Sequence, residues 1–208
     1  MLAYQKCEVL ITFMAGFVNR FTDKLRAPVL DELFATTDWR QIHSIEKPKR
    51  KKFLLDLYVK QLKEIGGAKY IRNFEMIGKN NQTIYYLIYG TKHWKGLEAM
   101  KYAMWNVDRR GIYRFSDLTD INQTYLIDYS STTYWVPIVA EMVFKEFKGK
   151  TVQIDSIHKF VITETPYLFK KGEILRYLEK SEPPKIIQVR GRRRKLTFPN
   201  GCFITFSK

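Results

Sequence analysis

The sequence predicts a mixed α/β unit followed by a smaller α+β domain, and three observations carry that expectation. Between residues 8 and 107, β-branched and aromatic runs alternate with amphipathic helical stretches. A segment rich in Ser, Thr, Asp and Asn follows, without sustained period. From residue 136 onward, three short helical patterns precede two short strand patterns, a different order altogether.

Taken in order, "EVLITF" (8–13) is a β-branched run that reads as a buried strand, and "MAGFVNRFTDKL" (14–25) as the helix after it. Periodicity also allows one continuous helix there. Residues 26–50 are irregular and end in a basic, Pro-containing stretch, as a surface connection would. In "KKFLLDLYVKQLKEIGG", Leu54, Leu57, Tyr58, Val59, Leu62 and Ile65 recur at helical spacing, and Gly66-Gly67 supplies the stop. "AKYIRNFEMIG" and "TIYYLIYG", separated by "KNNQ", read as a hairpin. "HWKGLEAMKYAMWNV" then places Trp94, Leu97, Met100, Met104 and Trp105 on one helical face, the pattern of a core stripe.

The aperiodic segment "DRRGIYRFSDLTDINQTYLIDYSSTTYW" reads as a linker, with the boundary between Asp117 and Trp135. Beyond it, "VPIVAEMVFKEFKGK" has a Pro near a helix start and Gly149 to end it. "IDSIHKFVITETP" forms a second helix stopped by Pro166. "LFKKGEILRYLEKSE" forms a third, with Leu168, Ile174, Leu175 and Leu178 inward. "KIIQV" and "CFITF" are strands around the loop "RGRRRKLTFPNG". Three helices and a terminal hairpin are the order of a winged helix-turn-helix, in which the third helix enters the major groove and the wing meets phosphate or the minor groove.

The charge balance points the same way. Lys and Arg total 36 against 21 Asp and Glu, a net +15 with pI near 9.7, and such a field attracts polyanions. The longest apolar run, Val9 to Val18, is too short to span a bilayer. The N-terminal residues lack the pattern of a signal peptide. Cys7 and Cys202 stand at opposite ends, and His43, His93 and His158 are scattered, without metal-ligand spacing. The expectation is a reduced, metal-free, cytoplasmic protein with no membrane partner.

The sharpest local signal is "RGRRRK": Arg190, Arg192, Arg193, Arg194 and Lys195 in one turn, with Gly191 for the bend. Guanidinium forks match phosphate oxygens, so such a tip makes a phosphate clamp. The plainer reading is a solvated turn that discourages edge-to-edge pairing. Lys159, Lys170, Lys171 and Arg176, on or near the second and third helices, extend the patch. Lys170 and Lys171 stand at a helix start, the less favourable end for cations. Tyr86, Trp94 and Trp105 are candidate base-stacking platforms.

Catalytic patterns are weaker. Asp128 with Glu146 and Lys148 echoes the Asp…Glu-x-Lys set of metal-dependent nucleases, but Glu146 falls on an amphipathic helix. Asp38 and His43 lack anything to fix an acid-base geometry. No GxSxG, P-loop or GxGxxG appears.

The segments "EVLITFMAGFVNRF", "KYIRNFEM", "TIYYLIYGTKHWKGLEAMKYAMWNVDRRGIYRFSD" and "TETPYLFKKGEILRYLEK…RRRKLTFPNGCFITF" together resemble the three-Cys-motif partner family of bacteria and archaea. The resemblance covers nearly the whole chain and is most specific over "YGTKHWKGLEAMKYAMWNVD". It implies a class I methyltransferase-like α/β domain followed by a winged helix-turn-helix, and a nearby partner protein bearing a three-cysteine motif. The acidic, Gly-rich S-adenosylmethionine loop of such a domain has no counterpart here. By resemblance "EVLITF" would be the fifth strand, and "AKYIRNFEM" and "TIYYLIYG" the antiparallel sixth and seventh. Residues 1–118 are thus expected to be the C-terminal half of the Rossmann-like unit, 119–135 a linker, and 136–208 the winged domain. Asn19 and Arg20 match a recurring family position without an assigned role.

The expected function is nucleic-acid binding, DNA rather than RNA. No cofactor is expected to bind this chain alone, and S-adenosylmethionine only with a missing N-terminal half. The rival readings are half of a split methyltransferase and a protein-interaction subunit that docks through an open sheet edge, leaving residues 1–118 sticky in isolation.

Overall fold

The computed structural model describes residues 7–116 and 131–208, which form two compact units. The first takes in the described residues through Asp108 and from Tyr113; the second holds Arg109–Ile112 and the described residues from Ser131.

The first unit is a mixed four-stranded sheet with helices on both faces. Its elements are β1 (Glu8–Phe13), α1 (Ala15–Arg20), α2 (Ala27–Phe34), α3 (Arg50–Glu64), β2 (Tyr70–Ile77), β3 (Thr83–Thr91), α4 (Trp94–Val107) and β4 (Arg114–Ser116). The sheet order is β1-β3-β2-β4. β3 runs antiparallel to both β1 and β2, while β2 and β4 pair in parallel. The strand-helix alternative at residues 8–25 resolves as a strand followed by a short helix.

Alternation along the strands divides the core in two. Ile11 and Phe13 of β1, Ile71 of β2 and Tyr86 and Ile88 of β3 meet α2 and α3. There Phe13 stacks on Tyr58 at 4.7 Å, and Phe34 meets both rings edge-on. On the opposite face Phe74, Met76, Leu87 and Tyr89 meet Met100 and Met104 of α4. Gly67, at φ +75°, ends α3 as its two-glycine stop predicts, with Ala68 N–H donating to Leu62 O. Among the described residues β1 pairs with β3 alone, and Leu10 on it is 59% exposed.

Residues 26–50 correct the expectation of a surface connection. They hold α2 and a 3₁₀ segment at Asp38–Ser44, and they bury Phe34, Trp39 and Ile42 completely or nearly so. Trp39 Nε1 donates to Asp31 Oδ1 at 2.7 Å, satisfying the indole in the core.

The second unit comprises α5 (Thr132–Phe147), β5 (Thr151–Gln153), α6 (Ile154–Glu164), α7 (Lys171–Lys180), β6 (Ile186–Arg190) and β7 (Phe203–Phe206). Its strands form an antiparallel sheet in the order β5-β7-β6. The anticipated inward set Leu168, Ile174, Leu175 and Leu178 is buried. Two features differ from expectation. α5 starts at Thr132, inside the span assigned to a linker, because the Ser131 side chain accepts from Thr133 N–H and caps it. Pro137 therefore sits within the helix rather than at its start. β5, only three residues long, joins the sheet through Val152 opposite Ile204. β4 likewise lies within the stretch read as aperiodic. Asp117 and the rest of residues 117–130, Asp128 included, lie outside the described residues.

Candidate nucleic-acid interface

The candidate interface is built on α7. Ile174, Leu175 and Leu178 turn one side of this helix into the core, which leaves Glu173, Arg176, Tyr177 and Lys180 in solvent. Lys170 and Lys171 open the helix without a side-chain cap.

The loop 191–202 between β6 and β7 is folded back onto α7 rather than projecting as a bare hairpin tip. Gly191, at φ +90°, makes the turn out of β6 that an L side chain would resist. Arg192 then donates from both terminal nitrogens to the Glu179 carboxylate, at 2.8 and 2.6 Å, with only 16% of its side chain exposed. Arg176 Nε donates to Leu196 O at 3.1 Å, and Lys171 Nζ to Asn200 Oδ1 at 2.8 Å. Phe198 is buried and anchors the loop from within, 6.0 Å from the Arg192 guanidinium. The Glu179 hydrogen bonds hold the Arg192 pKa above its ordinary value, and burial pushes the Cys202 thiol up.

These contacts sort the basic residues singled out by the sequence. Arg192 does not fit a phosphate clamp, because its fork is already occupied by a carboxylate that is itself largely buried. Lys171 and Arg176 serve the loop, though both remain reachable from solvent. Lys170, Arg190, Arg193, Arg194 and Lys195 are exposed and make no side-chain hydrogen bond or ion pair with any described residue. Lys159 on α6 is exposed as well. Glu179 is the member that sequence reasoning missed; nothing in its spacing from Arg192 announces a pairing across separate elements.

The segment "YGTKHWKG" in the first unit proves to be a joint. Tyr89 and Thr91 near the end of β3 meet Glu8 of β1 beside Gly96 of α4. A Cβ at Gly96 would fall 2.1 Å from Glu8 Oε1 and 2.8 Å from the Tyr89 hydroxyl, so any other residue there would have to displace the Glu8 carboxylate. Burial and the Glu8 carboxylate push Tyr89 up to about 12. His93 caps α4, its Nδ1 accepting from Lys95 N–H at 3.2 Å. As stacking platforms the nearby aromatics are poorly placed. Trp105 is buried, Tyr86 is turned to Glu75, and Lys95 Nζ already covers Trp94 at 4.1 Å.

Other polar groups are engaged structurally. Glu146 lies on α5, not on a strand, and pairs with Lys150 at 3.6 Å. Asn19 Oδ1 is shielded from solvent without a hydrogen-bond partner among the described residues, and Arg20 is exposed. Lys101 of α4 is fully buried, and desolvation, reinforced by the Arg72 charge and opposed by Glu98, lowers it to about 6. No group of three or more potential metal ligands occurs among the described residues, and no described helix is long and apolar enough to cross a membrane.

No protein-family model, curated protein or solved structure matches this chain.

Proposed function

We propose that this chain binds nucleic acid, duplex DNA in the first instance, through α7 and the loop 191–202. One observation carries the proposal. Arg190, Arg193, Arg194 and Lys195 stand exposed and without side-chain partners among the described residues, on a segment that Arg192 and Glu179 pin to a helix. A pinned loop presents cations with little further loss of conformational freedom on binding, which favours phosphate contact over a loose solvated turn. Lys170 at the mouth of α7 adds a further cation. The element order of the second unit, a helix, a short strand, two helices and a two-stranded end, supports its reading as a winged helix-turn-helix with 191–202 as the wing.

The resemblance to three-Cys-motif partner proteins supplies the remaining expectations: a methyltransferase-like origin for the first unit and a three-cysteine-motif protein as partner. No residue of this chain is assigned to S-adenosylmethionine, and catalysis is not part of the proposal.

The test is fluorescence anisotropy of the full chain with a labelled duplex across a salt series. Arg193→Ala, Arg194→Ala and Lys195→Ala combined should weaken binding about tenfold and reduce the salt slope by roughly three, one for each lost phosphate contact. The melting temperature should not move, since none of the three side chains has a partner among the described residues. Equal affinity and slope in wild type and variant would sink the proposal.

A further inference from the structure

A second basic segment lies in the other unit, outside the interface just described. Residues 47–52 read Lys-Pro-Lys-Arg-Lys-Lys, and they run from a single 3₁₀ turn, Lys47–Lys49, straight into the first turn of α3. A run of like charge this dense repels itself and is a common footprint of polyanion contact. Its fit to the fold is poor: the first turn of α3 holds no acidic residue and no side-chain cap, at the end of a helix where cations are least favoured.

The side chains divide as they do at 190–195. Arg50 is turned inward, its Nε donating to Ile45 O at 2.8 Å, and thereby fixes the entry to α3. The end of the Lys51 side chain, Cε and Nζ, lies over Gly16 of α1. Lys47, Lys49 and Lys52 remain exposed. Lys49 and Lys52 pair with Glu46 and Asp56, but all four of these side chains are 60% exposed or more, so the pairs hold the charges only loosely. The chain around them is well ordered by the core beneath, where Trp39, Ile42 and Leu54 are buried. The result is a fixed patch of solvent-facing cations rather than a loose tail.

We infer that Lys47, Lys49 and Lys52 form a second contact to the nucleic-acid phosphate backbone, so that each unit carries its own cationic contact and one chain engages the polymer twice. The inference rests on the nucleic-acid reading of α7 and the loop. Phosphate groups, not bases, are the ligand: the patch offers ammonium point charges, which match phosphate without reading base edges. Linking two weak phosphate contacts in one chain raises the effective concentration of the second once the first is made, provided the polymer is long enough to reach both.

The experiment uses the full chain, with Lys47→Gln, Lys49→Gln and Lys52→Gln combined; Arg50 and Lys51 are left in place because they touch the fold. Binding is measured by anisotropy on a short and a long labelled duplex over a salt series, with the Arg193, Arg194 and Lys195 alanine variant alongside. The patch variant should lose about fivefold or more in affinity on the long duplex, lower the salt slope there by roughly two to three, and approach wild type on the short one. Its thermal melt should match wild type. A single Lys47→Glu variant, at a lysine that forms no ion pair among the described residues, serves as a second check and should lower the slope further than Lys47→Gln.

If the patch variant keeps the wild-type slope on the long duplex while the loop variant loses it, the second contact is overturned and the first stands. Absence of binding by wild type at low salt overturns both. Unchanged DNA binding together with lost adhesion to vesicles containing phosphatidylserine overturns the inference in favour of a membrane surface.

Discussion

The basic segments 47–52 and 190–195 look alike in sequence and are handled by the fold in the same way. In each, one arginine is taken from the surface: Arg50 to the Ile45 carbonyl, Arg192 to the Glu179 carboxylate. Lys47, Lys49 and Lys52 stay in water beside the first, and Arg190, Arg193, Arg194 and Lys195 beside the second. They differ in what the captured arginine finds. Arg50 meets a neutral backbone acceptor five residues away, whereas Arg192 meets an ion across two elements. A local bond fixes the start of one helix; the distant bidentate pair fixes a whole loop. Charge density therefore marks where a surface is basic, and only the partners tell which cations are available to a ligand.

Lys101 takes the comparison to its limit, since here a cation lies wholly inside, and it gives the largest expected effect. Its pKa in the folded chain is lowered to about 6 by burial, with Arg72 adding and Glu98 opposing. Between that value and the ordinary lysine range, about 10.4, the unfolded chain binds the proton and the folded chain does not. Stability should therefore rise with pH across this window and be lost as pH falls toward 6, by up to about 1.4 kcal/mol per unit. Urea melts of the full chain at pH 7 and pH 9 would show the midpoint climbing, and Lys101→Met should flatten the dependence. A midpoint that stays level or falls in wild type would show that Lys101 remains charged in the folded chain.

Arg192 comes next. Its removal leaves Glu179, 14% exposed at the side chain, without its fork. Arg192→Ala should cost about 2 kcal/mol in the second unit, seen as a lower melting temperature, and should weaken DNA binding only through the loosened loop. Glu179→Gln should do much the same, although it removes no cation. That shared outcome separates a pinning role from a phosphate contact; if Glu179→Gln tightened binding instead, Arg192 would be a clamp residue held back by its partner.

Much of this was legible beforehand, and the misses have a common cause. α3, the β2–β3 hairpin and α4 announce themselves because each carries its own period and its own stop, such as Gly66-Gly67. The buried segment 27–44 does not. Its apolar residues Phe34, Trp39 and Ile42 sit on a short helix and a 3₁₀ piece, too brief to show a repeat, and Pro28 at the helix start reads equally as a loop signal. β5 is three residues whose strand character comes entirely from pairing with β7. The availability of Arg193 against the capture of Arg192 depends on Glu179, a contact between α7 and a loop that no local pattern encodes. Local grammar was readable; partnerships between elements were not.

The smallest effect tests what kind of contact Arg193 and Arg194 would make in the proposed interface. Arg193→Lys with Arg194→Lys keeps both charges and removes both forks. Against phosphate, where most of the affinity is counterion release, the change should leave the salt slope unaltered and the affinity within about twofold of wild type. Against a guanine edge, where a guanidinium reads two acceptors at once, the same change should cost more and should cost it unequally between sequences, on the order of 1–3 kcal/mol at a preferred site. Anisotropy on two duplexes of contrasting base composition distinguishes the cases. Arg192 needs its fork because Glu179 presents a fixed pair of oxygens; Arg193 and Arg194 need only their charge if the loop is a phosphate contact, and a marked sequence-dependent loss on exchange to lysine would make them readers of bases instead.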